Sequence, residues 1–349
     1  MGNKNQKQQT ENVVTSTQQV QTKHFVDKQY KKGYQQIQEL KKGDPKKHLE
    51  LHYQHYEQSL ESVQYFCDTI IQLSCLQKLT LDFRYFQIEG QAASTISSAL
   101  AKCKNLTYLD LQFQQNLIDK QQFDQIIEQI SNCNKLETLK LFFGQNLIED
   151  FQAQSLEQTL KSLPNLQVFA IDIINNKLSE QGAVNVSNAI AQCPKIKNVY
   201  LGFRKTFKFS EDFFGFNFKG FSKIQELTIF LDENSIDQQK AKMLGDNISC
   251  CSSLNNLTLS LTQNQINLVG SIYLLEGLIK CKQLVNLTLR ISSNGIPDEQ
   301  LYKISKTLKG LQSTTILEIT LGVQKNTLSY KKIKLELFKL KRLAQFYLY

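Results

Sequence analysis

Ten aliphatic residues, Leu76, Leu106, Leu136, Leu166, Ile196, Ile224, Leu254, Leu284, Ile316 and Leu343, recur along the chain at intervals of about 30 positions. A fixed period of this length marks a solenoid, in which one supersecondary unit cannot bury its apolar face alone and must stack on its neighbours.

Each of these residues heads the same local pattern. After Leu106, apolar side chains alternate at Leu109, Leu111 and Phe113, as in a strand with one buried face. Beyond Asn116 and Ile118, Phe123, Ile126, Ile127 and Ile130 recur at helical spacing. The next repeat offers Leu139, Leu141, Phe143, Asn146 and Ile148. Later ones offer Leu257, Leu259, Leu261, Asn264 and Ile266, then Leu287, Leu289, Ile291, Asn294 and Ile296. One strand and one helix per repeat is the expected unit.

From about residue 46 to the C-terminal end, this pattern resembles the leucine-rich-repeat family, in the ribonuclease-inhibitor-like type with a full helix per repeat. The resemblance implies an α/β leucine-rich-repeat solenoid, a horseshoe with a parallel inner sheet and outer helices. The spacing departs from the family in one respect, because the Asn falls ten residues after the first Leu (Leu106 to Asn116) instead of eight. Two more extended residues per coil predict an unusually wide concave sheet. The column Asn116, Asn146, Asn176, Asn234, Asn264, Asn294 and Asn326 is expected to be structural, since a buried amide can satisfy backbone groups where each coil leaves its strand.

The expected layout is a polar, basic N-terminal arm (1–44) and one solenoid (45–349), divided into a capping repeat (45–75), nine repeats (76–342) and a terminal strand (343–349). The arm is rich in Gln, Lys, Asn and Thr with few apolar groups, a composition that predicts disorder. Leu49, Leu51, Tyr53 and Tyr56 align with Leu79, Leu81, Phe83 and Phe86, so the cap is a degenerate coil whose helix would carry Leu60, Val63, Phe66, Ile70 and Leu73.

Cys103, Cys133, Cys193, Cys251 and Cys281 each stand three residues before the head of a repeat, where Leu163 and Phe221 stand in others. Exchange with Leu and Phe predicts compact core groups and no metal or redox site. Unpaired thiols suit a reducing compartment. With no N-terminal hydrophobic signal segment ahead of them, the expected address is cytoplasmic, with cytoskeletal, ciliary or nuclear placement as variants, and not secretory. His48, His52 and His55 with Glu50 lie close in sequence, yet alternation sets His52 and His55 on opposite faces, which argues against a metal site.

Net charge is +9, but residues 1–48 carry +6 and residues 325–349 another +6, leaving −3 on residues 49–324. A solenoid that reads nucleic acid would line its strands with Lys and Arg, so no nucleic-acid partner is expected. Met1-Gly2-Asn3-Lys4-Asn5-Gln6 resembles an N-myristoylation start but has Gln6 where Ser or Thr is required, and membrane attachment is not expected either.

Strand residues between the buried positions should face the concave side. Phe142, Tyr200 and Phe230 are the expected partner anchors, because large aromatics beside charges are the composition of interface hot spots. Arg84, Lys140, Arg204, Asp172 and Asp232 are the expected orienting charges, and Asp82 and Asp110 complete the expected partner-binding set. From Thr258 onward this face turns small and neutral. One repeat is irregular: between Leu201 and Ile224 the period shortens, Thr206 replaces the Asn, and Phe occurs at 203, 207, 209, 213, 214, 216, 218 and 221. A helix buries only a stripe, so some of these rings are expected on the surface.

No phosphate-cradling loop, nucleophile elbow or Glu-x-x-His motif is present, and no cofactor is expected. The expected function is a non-catalytic scaffold or adaptor that binds a protein on the concave sheet. Alternatives are regulation of a small GTPase, by fold-level analogy to Ran-directed activators, and a membrane-surface adaptor tethered by the basic arm.

Overall fold

The computed structural model describes residues 48–52, 60–88, 90–149, 152–207, 216–325, 327–340 and 342–349. Expectations for the arm (1–44), for Tyr53, His55 and Tyr56, for Phe209, Phe213 and Phe214, and for Asn326 lie outside these residues.

Among the described residues, eleven strands form one sheet in strict sequence order, every neighbour parallel. They are β1 (His48–His52), β2 (Lys78–Asp82), β3 (Tyr108–Gln112), β4 (Thr138–Phe142), β5 (Val168–Asp172), β6 (Asn198–Gly202), β7 (Glu226–Phe230), β8 (Asn256–Ser260), β9 (Asn286–Arg290), β10 (Ile316–Thr320) and β11 (Gln345–Leu348). Among the described residues, helices return the chain along the outside between all neighbouring strands but β6 and β7: α1 (Leu60–Gln72), α2 (Gly90–Leu100), α3 (Lys120–Ile130), α4 (Gln152–Lys161), α5 (Glu180–Ala191), α6 (Gln238–Ile248), α7 (Asn267–Leu278), α8 (Tyr302–Leu308) and α9 (Leu328–Leu337). This is the parallel strand-and-helix solenoid that the leucine-rich-repeat resemblance implies.

The register carries the period directly, with Tyr108 opposite Thr138 and Leu109 opposite Leu139. Consequently like stacks on like between sheet and helices. Leu79, Leu109 and Leu139 are fully buried, as are Phe83, Phe113 and Phe143 one column over. Those rings pack in sequence, Phe83 to Phe113 at 5.6 Å and Phe113 to Phe143 edge-on at 5.2 Å, geometries worth a further ~0.5–1.5 kcal/mol per pair beyond area burial.

Strand length corrects one expectation. The sheet is not unusually wide, since the strands β1–β10 have five residues each. Coil-to-coil hydrogen bonds do continue past the strands, as in Phe113 N–H to Phe142 O (2.7 Å) and Gln115 N–H to Gly144 O (2.9 Å). However, the residue before the Asn column enters the left-handed region in every coil from Tyr85 (φ 63°) through Gln115 (55°), Gln145 (58°) and Asn175 (52°) to Ser293 (55°), which turns the chain off the sheet. The two additional residues of the repeat build this turn.

Inside the turn, the asparagines do what their column predicts. The Asn146 amide donates to Phe113 O and Phe143 O (2.9 Å each), while its carbonyl accepts from Ile118 N–H (3.1 Å). Asn116, Asn176, Asn234, Asn264 and Asn294 repeat this bridge between successive coils. Thr206, standing in the same column, donates to Ile173 O at 3.0 Å.

In the irregular repeat, Phe203, Phe207, Phe216, Phe218 and Phe221 are all buried. They interlock as one cluster, with Phe218 stacked on Phe221 at 4.7 Å. Residues 216–225 run as turns and irregular chain, and Phe216, Phe218 and Phe221 on them pack inward where other repeats carry a helix.

The five column cysteines are buried, and the thiols of Cys133, Cys193 and Cys281 point at carbonyls of the coil before, as Cys133 Sγ does at Cys103 O (3.5 Å). Burial pushes Cys133 and Cys193 up to about 12 and Cys103 and Cys281 up to about 11. Such thiols are poor nucleophiles and poor metal ligands at neutral pH. With an aromatic disulfide reagent at pH 8, Cys250, the exposed cysteine, is expected to react at once and the column only on unfolding; rapid native labelling of the column would contradict its burial. Raised folded-state values also give these thiols a stabilising contribution that is whole below pH 9.0 and lost as pH climbs toward 12.

Among the described residues, no helix is long and apolar enough to cross a membrane.

Candidate functional site

Strand alternation exposes three rows of side chains on the concave face, and the register aligns each row across the sheet. The central row runs Thr80, Asp110, Lys140, Ala170, Tyr200, Thr228, Thr258, Thr288. The row toward the strand ends runs Asp82, Gln112, Phe142, Asp172, Gly202, Phe230, Ser260, Arg290.

The three aromatics expected as anchors come together as one ridge. Tyr200 lies 6.2 Å from Phe142, edge-on, and 5.6 Å from Phe230. All three are half-buried. Gly202 makes the contact possible, because it leaves an opening in the outer row between Asp172 and Phe230 beside Tyr200. A Cβ there would stand 2.8 Å from the Asp172 carboxyl. Gly202→Ala is accordingly expected to displace Asp172 and to cost about 1–3 kcal/mol, read as a lower midpoint in urea; an unchanged midpoint would show that the carboxyl can move aside freely.

Beside the ridge opens a concavity of about 430 Å³, lined by Ile174, Tyr200, Arg204, Phe230, Asp232, Ser260, Thr262 and Gln263. Tyr200, Arg204, Phe230 and Asp232 from the sequence-level set meet here. Of the remaining six, five lie on the coils nearer the N-terminus, and the sixth, Asp172, accepts on Oδ2 from the Tyr200 hydroxyl at 3.4 Å.

Most of the expected orienting charges are tied down within the chain. Asp82, fully buried, holds Arg84 in a two-pronged pair at 2.9 and 2.8 Å. Asp110 is buried and lies 3.8 Å from Lys140, whose ammonium also sits 5.2 Å above the Tyr108 ring. Desolvation opposes the charge on Lys140, but Tyr108 and Asp110 outweigh it and raise its pKa. The Arg204 guanidinium is paired to Glu233, with Nε at 2.8 Å. Asp172 is buried, and desolvation raises its pKa against the opposing bonds from Ile174 N–H and Tyr200 O–H. Three acids read from the sequence as surface charges, Asp82, Asp110 and Asp172, thus lie beneath the face they were expected to display.

Residues that sequence reasoning passed over include Glu233, Ser260 and Thr262. Ser260 O–H and Thr262 N–H both donate to Asp232 Oδ1, at 2.5 and 2.8 Å. Only Gly202 carried a signal, as a glycine inside a strand where other coils place Asp, Gln or Phe. Among the described residues, no group of three or more His, Cys, Asp or Glu could hold a metal ion.

No protein-family model and no curated protein matches the chain. Solved structures with a similar chain path include an internalin C2 from Listeria monocytogenes, at 23% identity and TM-score 0.37 over 66% of this chain and 84% of that one. TLR13 in its complex with ssRNA13 is similar at 16% identity and TM-score 0.40, over 83% of this chain and 42% of that one.

Proposed function

We propose that the protein is a non-catalytic interaction scaffold whose concave sheet binds a protein partner, with Phe142, Tyr200 and Phe230 as anchors. The observation that carries this reading is the continuous half-exposed aromatic ridge beside a concavity, set on strands hydrogen-bonded on both sides. Side chains held this way lose little conformational entropy when a partner docks. Aromatic rings supply the largest contact energies at interfaces. Arg84, Lys140 and Arg204 keep part of their surface in solvent as orienting charges, held by Asp82, Asp110 and Glu233, while Asp172 and Asp232 supply negative charge beside Tyr200 and Phe230.

The test has two stages. A photoreactive residue at Gln112 or Thr258 on the concave side should crosslink a partner that the same residue at Tyr273, on the outer face of α7, does not. With that partner purified, Phe142→Ala combined with Phe230→Ala should weaken binding at least ~100-fold, on the scale of two hot-spot truncations, while the thermal midpoint stays within a few degrees. Full binding by the double variant would defeat the concave-face reading. Accelerated hydrolysis by any member of a small-GTPase panel would point to the regulatory alternative instead.

A further inference from the structure

Two constellations on the concave face have the same chemistry and differ in one respect. On β3 and β4, the Tyr108 hydroxyl bonds Asp110 at 3.1 Å, and the chain sets its own cation between them, the Lys140 ammonium lying over the ring and against the carboxylate. On β5 and β6, the Tyr200 hydroxyl likewise faces the Asp172 carboxylate, with Phe230 against the same ring. Here the residues flanking Tyr200 in its row are Ala170 and Thr228, too small and neutral to serve as Lys140 does.

Acid–base pairing along the face follows the same division. Asp82 has Arg84, Asp110 has Lys140, and Glu318 has Arg290. Between them, Asp172, Glu226 and Asp232 form no ion pair among the described residues. Asp172 is held by Ile174 N–H and the Tyr200 hydroxyl, and Asp232 by Ser260 O–H and Thr262 N–H. Glu226 accepts from the Asn198 and Asn256 amides, at 2.8 and 3.2 Å. The nearest arginine, Arg204, is neutralised by Glu233. The concavity beside Tyr200 therefore has aromatic walls and an excess of negative charge, which repels phosphate and attracts cations.

We propose that this cleft receives a lysine or arginine side chain of the protein partner, stacked on Tyr200 and Phe230 with its charge at Asp232. The inference rests on the concave face being the partner surface, and it adds the partner's chemistry: a basic segment presenting at least one cationic side chain. Asp232 is suited to the role because its Oδ1 is already fixed by Ser260 and Thr262, which orients the carboxylate before anything binds.

The probe is a fluorescein-labelled octapeptide alternating Arg and Gly, compared with its citrulline and glutamate counterparts by fluorescence anisotropy on the full chain. Citrulline keeps the planar side chain and removes the charge. The arginine peptide should bind at least ~10-fold more tightly than the citrulline one, the glutamate peptide should not bind, and raising salt from 50 to 500 mM should weaken the arginine complex. Asp232→Asn, which preserves the acceptor for Ser260 and Thr262, should lose that ~10-fold preference, whereas Glu276→Gln on α7 should leave it intact. Equal binding of arginine and citrulline peptides, no binding of either, or binding of the glutamate peptide gained by Asp232→Asn would overturn the proposal, the last pointing to an anionic partner such as RNA. A partner released by Phe142→Ala with Phe230→Ala but untouched by Asp232→Asn would refute the cationic contact and leave the concave surface standing. Retention by both variants would remove the surface itself.

Discussion

Asn264→Leu is expected to lower the unfolding free energy by about 3–5 kcal/mol, a large fraction of the stability of a typical domain. The Asn264 carbonyl accepts from Asn234 N–H (2.9 Å) and Ile236 N–H (3.0 Å), and its amide donates to Leu231 O (3.0 Å) and Leu261 O (2.9 Å). Leucine fills a similar volume but strands the two buried N–H donors, each at a cost of about 1–3 kcal/mol. Because the bonds cross from one coil to the next, the damage falls on the interface between coils, the term that holds a linear repeat array together. Guanidinium unfolding followed by circular dichroism reads the loss. Asn105→Ala is the comparison, since exposed Asn105 bonds Ser74 O and Lys135 at the rim, and it should cost less than about 1 kcal/mol. Equal effects from the two substitutions would mean that the ladder has no special part in stability.

Gly277→Val is expected to be damaging on a similar scale, by the opposite route. Helices α6 and α7 approach so closely that a Cβ on Gly277 would stand 2.3 Å from the carbonyl carbon of Gly245 and 2.4 Å from its oxygen. At Gly245 the same atom would lie 2.8 Å from Leu274 O, and at Gly270 it would lie 2.6 Å from Gln238 Cα. Backbone cannot swing aside as a flexible side chain can, so the two helices must separate and the core beneath them opens. Overpacking of this kind costs about 1–3 kcal/mol and at times more; a valine, with two further methyls, should reach about 3 kcal/mol. Gly295→Ala isolates the conformational part, since Gly295 has φ 71° and no neighbour within 4 Å of an added Cβ. It should cost only about 1 kcal/mol. Comparable losses at the two glycines would show that helix approach is not the constraint.

Much of the concave face could be listed from the chain, because the period places Phe142, Tyr200 and Phe230 on one side of their strands whatever the detailed packing. Depth could not be read the same way. Asp82 and Arg84 sit two residues apart on the same face, yet one is fully buried and the other is half-exposed above it. Which of two neighbouring polar groups sinks depends on the hydrogen bonds available from adjacent coils, and alternation is silent on that. The Phe-rich repeat is a second case. Its pattern marked more phenylalanines than one helix can bury, and the structure gathers Phe203, Phe207, Phe216, Phe218 and Phe221 into one inward cluster, while Phe209, Phe213 and Phe214 lie outside the described residues.

By itself, the order of residues determined the period, the strand-and-helix unit, the buried leucine and phenylalanine columns and the task of the asparagine ladder. These follow from stacking like on like, which depends only on positions 30 apart meeting, as Cys133 meets Cys103. Tertiary structure alone decided where each strand stops, through a left-handed residue ahead of the ladder, and how the charges divide. Lys140 is captured by Asp110 while Asp172 and Asp232 are left with neutral donors. Those outcomes turn on distances of a few ångströms between side chains of different coils, and a Coulomb interaction varies steeply over just that range.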